Sequence, residues 1–416
     1  MIVNHWNKFM KKYDTIVIGG GPAGLFAAIQ LGKNRQVILF EKKSKPGNKL
    51  LMAGAGRCNI THSGPIEDFY TRYGENKRFL RSALQDFTNH DLISFLKKRG
   101  VDTIIDKNGK VFPKSENATE ILETLLAECR KRNVHIQTDK TVISVKKISN
   151  GFIVSTDKME YTATQVIIST GGKSYPGTGS EGDGYRFAKQ LGHTIVEPKP
   201  ALTPVYVKDY KLASISGVSL INRPVHLYRA EKKLKEHNGD IGFTHKGISG
   251  PGILDFSRYF IKGDTLTINL INISQDTLRE DLISANEQKG KQSIKNFLRN
   301  YDLPESLTKK VLEGMNIDNK TTLACLTKKI RNQIINQFCN YPFIIEKTGN
   351  FNVAMATAGG VSLKEIIPAT MESRLTKGLF FAGEVLDIDG DTGGYNIQAA
   401  FSTGALAAMG SQKQTG

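Results

Sequence analysis

A β-branched run that breaks into glycines, an acid 22 residues after the first of those glycines, and a glycine–glutamate turn feeding a small-residue helix at the far end predict an α/β fold. The architecture expected is a Rossmann-type domain assembled from both ends of the chain.

The first strand is Tyr13-Asp14-Thr15-Ile16-Val17-Ile18, short, β-branched and ended by glycines, as a buried parallel strand is. Gly19, Gly21 and Gly24 then fit G-x-G-x-x-G, with Pro22 and Ala23 between them and an apolar helical stretch, Leu25 to Leu31, behind. The first glycine permits the tight turn, the second lets backbone approach a pyrophosphate, and the third lets helix and strand pack closely. A diphosphate is expected on the helix N-terminus, where free N–H groups and the dipole favour an anion. A second strand, Gln36 to Phe40, ends in Glu41, at the spacing of a group that binds a ribose 2′-hydroxyl. An acid there disfavours a 2′-phosphate.

This fingerprint alone does not separate NAD from FAD. Three further segments favour FAD, whose extended body needs more contacts. Glu41 is followed by a glycine-rich excursion through Lys42, Lys49 and Leu50 to Gly56-Arg57-Cys58-Asn59, where a simple crossover would suffice for a smaller ligand. The run Thr164 to Ser169 is a buried strand leading into Thr170-Gly171-Gly172, and Val142 lies ahead of it among the expected contacts. Last come the strand Gly378 to Ala382, the turn Gly383-Glu384, and Gly393-Gly394-Tyr395-Asn396-Ile397 opening a helix rich in alanine from Ala399 to Ala408. The N-terminus of that helix offers partial positive charge to the flavin edge where negative charge appears on reduction. FAD is therefore the expected cofactor, and these residues its expected contacts.

Composition narrows the class. The chain has 416 residues, 39% of them apolar, and no run near the roughly 18 apolar residues of a membrane span. Met1 to Lys12 is too short and broken for a secretory signal, and Met10 is an alternative start, so a cytoplasmic protein is expected. Cys58, Cys129, Cys325 and Cys339 include no C-x-x-C pair, which points to free thiols, no metal site, and no flavin disulfide reductase. The formal charge of +17 fits either a nucleic-acid partner or a solvated Lys-rich surface that attracts anionic ligands. The basic residues are scattered, which makes the solvated surface the plainer reading.

In these blocks the sequence resembles a bacterial family, the BaiN-type NAD(P)/FAD-dependent oxidoreductases, also known as aminoacetone-oxidase-like flavoproteins. The resemblance runs through Gly56 to Thr61, Gly171 to Pro176 with Thr178 to Ser180, and Phe243-Thr244-His245 with Ser249-Gly250-Pro251. It closes with Gly359 to Ile366 and Gly383 to Ile397. It implies an FAD-binding domain, 1–200 and 346–416, interrupted by an inserted domain at 201–345 with a β-barrel-like part (201–272) and a helical part (273–345). Strand-like runs at Thr203 to Val207 and Thr265 to Leu270, and helical spacing of Leu278, Leu282, Ile294 and Leu298, agree with that. Lys246, Ala358 and the acidic Asp389-Gly390-Asp391 depart from the family pattern.

In such enzymes the flavin does the redox work, and protein groups orient substrate and move protons. The resemblance places Arg57, Tyr175 and His245 near the ring as the candidate catalytic residues. Arg57 is also read as a salt-bridge residue, Cys58 as a small packing residue and His245 as a structural histidine. Gly177, Gly179, Gly182 and Gly184 do not match a second fingerprint, so NADH or NADPH either docks directly at the flavin or gives way to the substrate as reductant and oxygen as acceptor. The leading expectation is hydride transfer between flavin and a small organic molecule, as amine or aminoketone oxidation or NAD(P)H-driven reduction. An FAD-containing tRNA-modifying protein and a non-enzymatic redox carrier are the alternatives. The oligomeric state is left open.

Overall fold

The structure, a computed structural model, describes residues 11–32 and 35–413. It has two compact units: the chain up to Ala201 with the chain from Ala354 onward, and Leu202–Val353.

The first unit is built on a seven-stranded sheet. Strand Lys11–Ile18 lies parallel between Val37–Phe40 and Glu160–Ile168. His135–Gln137 extends the sheet beyond Val37–Phe40, and Leu379–Phe381 pairs parallel with the far half of Glu160–Ile168. A hairpin, Val142–Ile148 with Gly151–Thr156, pairs antiparallel with the near half. Val37 to Phe40 and Thr15 to Ile18 are buried throughout, as strands covered on both faces must be. The register has a direct consequence. Phe40, Ile18, Ile168 and Phe381 line up at the carboxyl ends of four neighbouring strands. Gly19, Glu41, Ser169 and Ala382 therefore begin four loops at one edge, where open α/β sheets bind ligands.

Helix Pro22–Leu31 packs on the C-terminal helix Tyr395–Lys413, with the Phe26 ring 5.2 Å from that of Phe401. Gly404 allows the approach: a Cβ there would lie 2.4 Å from the Ala23 carbonyl oxygen. Arg35 donates to Gln165 at 2.5 Å and to Ser411 at 3.1 Å, tying the far end of that helix to the sheet. Ile195–Ala201 pairs antiparallel with Ala356–Val361, so the segments leaving and re-entering this unit are neighbours, Ala201 opposite Ala356.

The second unit holds a closed six-stranded barrel and a helical part. Val225, Leu227, Ile241, Leu266 and Phe343 from its strands are buried in a core shared with Leu278, Leu282, Ile334 and Phe338 of the helices. Ser274, Ser293 and Thr327 cap three of the helices by accepting from the N–H three residues on. Strand Tyr341–Thr348 follows the helices and closes the barrel against Val205–Val207. No helix among the described residues is long and apolar enough to cross a membrane.

Candidate functional site

The glycine fingerprint divides its labour between packing and open space. Gly19 has φ +106°, and a Cβ there would meet the Ser169 carbonyl oxygen at 2.6 Å. At Gly24 a Cβ would lie 2.0 Å from the Gly19 carbonyl oxygen. Gly21 has nothing within 4 Å of its Cβ position. The helix that starts there has Pro22 in its first turn and no side-chain cap, so its unpaired N–H groups and positive dipole end face that opening.

Glu41 closes one side of the crevice. Its Oε2 accepts from the Gly20 N–H at 2.9 Å and its Oε1 from the Lys43 N–H at 2.8 Å. An ionised carboxylate accepts about four hydrogen bonds, which leaves capacity for hydroxyl donors. Gly47 N–H donates to the Gly20 carbonyl at 2.9 Å, folding the loop with buried Leu50 back on the fingerprint. Lys140 N–H donates to the Glu41 carbonyl, which brings the start of the Val142 strand to the same corner. The Lys42 ammonium is taken by Glu181 at 2.7 Å and Asp183 at 2.6 Å.

Beside the second glycine pair lies a polar knot. Lys49 Nζ is 2.6 Å from Glu384 Oε2 and 2.5 Å from Ser174 Oγ. Glu384 Oε1 accepts from Ser174 Oγ at 3.0 Å and from the Thr357 N–H at 2.8 Å. Thr357 Oγ1 in turn accepts from the N–H groups of Lys173 and Ser174. Gly172 makes room for this, since a Cβ there would lie 2.4 Å from Thr357 Oγ1. Gly383, at φ +76°, turns the chain into Glu384 and donates its N–H to Thr403 Oγ1 at 2.9 Å.

The fourth wall is the start of the C-terminal helix. Gly393 and Gly394 have φ of +119° and +93°, and a Cβ on Gly394 would strike Thr61 backbone at 2.6 Å. With its amide oriented to satisfy both ends, Asn59 accepts from the Gly394 N–H at 3.0 Å and donates to the Thr61 carbonyl at 2.9 Å. Asn396 brackets Gly390, accepting from its N–H and donating to its carbonyl at 2.8 Å each. Tyr395 is buried against the His62 ring, and Ile397 is half-buried beside it in sequence.

The candidate catalytic residues fare differently. Arg57 is half exposed, paired with Glu116 at 3.3 Å and lying over the Phe112 ring. Gly56 beside it has φ +89°. The Cys58 thiol is fully buried, and burial pushes its pKa up to about 12, so it is no nucleophile at neutral pH. Tyr175 is half-buried in a left-handed turn at φ +53°. His245 belongs to the inserted unit, exposed on the turn between Lys232–Phe243 and Gly247–Ser249.

Two buried atoms near the glycine pairs lack partners: Thr170 Oγ1 and the Tyr185 hydroxyl. Together with the opening at Gly21, these unspent donors fit an extended, polar dinucleotide. Sequence reasoning passed over Ser174, Thr357, Tyr185 and Asp387. Ser174 and Asp387 stood inside blocks of the resemblance, Thr357 and Tyr185 outside them, and nothing local marked Ser174 or Thr357 as a partner of Glu384.

Comparison with known proteins gives the family and the fold. The family described as HI0933-like protein Rossmann domain matches residues 13–410. A Haemophilus influenzae protein named ribosomal RNA dihydrouridine synthase is 33% identical over 413 residues, 97% of this chain and 100% of that one. A 3-dehydro-bile acid delta(4,6)-reductase of Clostridium scindens is 32% identical over 408 residues, 94% of this chain and 97% of that one. The solved 3-ketosteroid-delta4-(5alpha)-dehydrogenase of Rhodococcus jostii shares the fold, with a TM-score of 0.51 at 15% identity over 98% of each chain.

Proposed function

We propose, from the premise that this chain belongs to the HI0933-like Rossmann-domain family, that it is an FAD-dependent oxidoreductase whose substrate is a carbon–carbon double bond conjugated to a carbonyl. One observation carries the choice of bond. Two relatives that match nearly the whole chain differ in substrate but agree in chemistry by name. Dihydrouridine is uridine with the ring double bond next to a carbonyl saturated, and a delta(4,6)-reductase of a 3-oxo steroid acts on a double bond of the same electronic kind.

Bound at the strand edge, FAD supplies a ring that carries a hydride. The residues of the crevice do the rest. The N–H groups of Gly21, Ala23 and Gly24 would hold the diphosphate, and Glu41 would accept from ribose hydroxyls. The bare backbone of Gly171 and Gly172 permits close approach. The N-terminus at Gly394 and Tyr395 turns a positive dipole end toward developing negative charge. A nicotinamide docking directly at the flavin is the reductant this reading requires. Four cysteines without a disulfide fit a reducing compartment, and we place the protein in the cytoplasm.

A second reading takes its support from the charge. At +17 the chain suits a polyanion, so the double bond of a uracil ring within RNA is a substrate in the same chemical class. The test is anaerobic. Protein reduced photochemically is mixed separately with a conjugated enone steroid, a uridine-containing RNA, and an aminoketone. Reoxidation by the enone or the RNA supports the reading and chooses between its two forms. Flavin reoxidised by oxygen alone, and bleached by the aminoketone in the oxidised protein, would make it an amine-type oxidase instead.

A further inference from the structure

In the helical part of the inserted unit, two stretches of chain are laced together. The N–H groups of Ile294, Leu323 and Ala324 donate to the carbonyls of Thr321, Gln292 and Gly290, at 2.9 Å each. Ser293 and Thr322 form an antiparallel bridge between them. The two stretches, 289–293 and 318–331, carry six cations and a single acid, Asp318. Lys289, Lys291, Lys320, Lys328 and Lys329 are exposed and Arg331 is half-buried. Among the described residues none of the six side chains has an ion pair, a hydrogen bond or a ring contact. Neighbouring acids are spent on other cations: Glu305 takes Lys295 at 2.9 Å and Arg299 at 3.2 Å, and Glu313 takes Lys310 at 3.6 Å.

The placement of these charges is costly as it stands. Lys328, Lys329 and Arg331 occupy the first turn of the twelve-residue helix Lys328–Cys339, which holds no acid there. A helix dipole favours anions at that end and disfavours cations. Arg331 Nε is a buried donor without a partner, and Asn319 Oδ1, in the same stretch, also lacks one. An external polyanion relieves the repulsion among the cations and supplies acceptors to them. Neither stretch contains an aromatic side chain or an exposed large apolar one, so the surface offers charge without stacking or membrane insertion. Such a surface fits a phosphate backbone and reads no base sequence.

We propose that this face of the inserted unit, formed by Lys289, Lys291, Lys320, Lys328, Lys329 and Arg331, docks the phosphate backbone of RNA. The choice of RNA as the polyanion rests on the RNA form of the reading above. Cys325 lies between the cations in the second stretch and is exposed, so it reports directly on what covers them.

The experiment uses the full-length FAD-loaded protein, a short uridine-containing RNA hairpin, and two variants of equal net charge. The first combines Lys289→Gln, Lys291→Gln, Lys320→Gln, Lys328→Gln and Lys329→Gln. The second makes the same change at five exposed lysines of the other unit, Lys97, Lys98, Lys107, Lys158 and Lys189. The first variant should bind the hairpin at least about tenfold more weakly, and its slope of log affinity against log salt should shrink by at least about 2, the share of roughly three phosphate contacts. The second should bind as the native protein does. RNA should shield Cys325 from iodoacetamide in the native protein and not in the first variant. Equal losses in both variants would overturn the proposal, leaving net charge alone as the cause. Anionic lipid vesicles that shield Cys325 as well as RNA at equal phosphate would overturn it in favour of a membrane surface. If RNA binds here yet does not reoxidise the reduced flavin, the RNA form of the reaction fails while the docking surface stands. If RNA does reoxidise it, the first variant should raise KM for RNA with kcat unchanged. An unmoved KM would remove the surface from RNA binding.

Discussion

Lys49 and Glu384, 335 positions apart in the chain, share an ion pair of 2.6 Å at the edge of the sheet. Each side chain is about three-quarters covered, and Ser174 and Thr357 hold the carboxylate from its other side. With Ser174, the pair therefore joins loops that follow three different strands. Lys49→Met should leave Glu384 short of a charge-assisted hydrogen bond worth about 1.5–3 kcal/mol. FAD affinity should fall roughly tenfold or more, with Lys49→Arg recovering part of it. Flavin fluorescence titration measures this, and an unchanged dissociation constant would remove the pair from the cofactor site.

Gly21 and Gly24 should answer the same substitution in opposite ways. A methyl at Gly24 meets the Gly19 carbonyl oxygen at 2.0 Å, while one at Gly21 meets nothing. Gly24→Ala should destabilise the cofactor-free protein by about 1–3 kcal/mol or more, as overpacking does. Gly21→Ala should fold with its melting temperature nearly unchanged and lose FAD binding. Thermal melts without FAD, paired with titrations, separate the two. If Gly21→Ala bound FAD normally, the diphosphate would not rest there.

Why so much of this was legible, and where legibility stops, follows from the range of each requirement. Gly19, Gly21 and Gly24 announce themselves because a turn, an opening and a close contact each demand glycine within six residues. Glu41 is readable for the same reason: a strand end fixes its place. The bond from Lys49 to Glu384 is not readable, although both residues stood in motifs, because it depends on the register that sets Ile168 beside Phe381. Arg57 shows the converse. Its sequence reading held both a cofactor contact and a salt bridge, and the partner of that salt bridge, Glu116, is named only by the fold.

The cysteines should divide by burial. Cys58, Cys129 and Cys339 are buried, with thiol pKa values pushed up to about 12, 12 and 11, whereas Cys325 is exposed. The thiolate is the reactive form, so iodoacetamide at pH 7.5 should label Cys325 and spare the other three in the folded protein. Peptide mass spectrometry reads the pattern. Rapid labelling of Cys58 would mean that its loop opens and that its thiol is available to the flavin site after all.

His193 gives the fold a measurable acid limit. Its side chain is fully covered, Nε2 lies 2.8 Å from Ser373 Oγ, and Nδ1 lies 3.1 Å from Glu365. Burial lowers its pKa and outweighs the carboxylate, which pulls the other way. A histidine whose folded pKa lies below its unfolded value of about 6.5 takes up its proton first in the unfolded chain. Its contribution is therefore complete above that value and is lost as pH falls toward the folded pKa. Urea midpoints at pH 7.5 and 5.5 should drop further for the native protein than for His193→Gln, which has no proton to gain. The variant should be the less stable of the two at pH 7.5, having lost a buried hydrogen bond worth about 1 kcal/mol. Equal slopes for both would place the acid sensitivity elsewhere, and a steeper native rise toward low pH would mean that Glu365 holds His193 in its charged form.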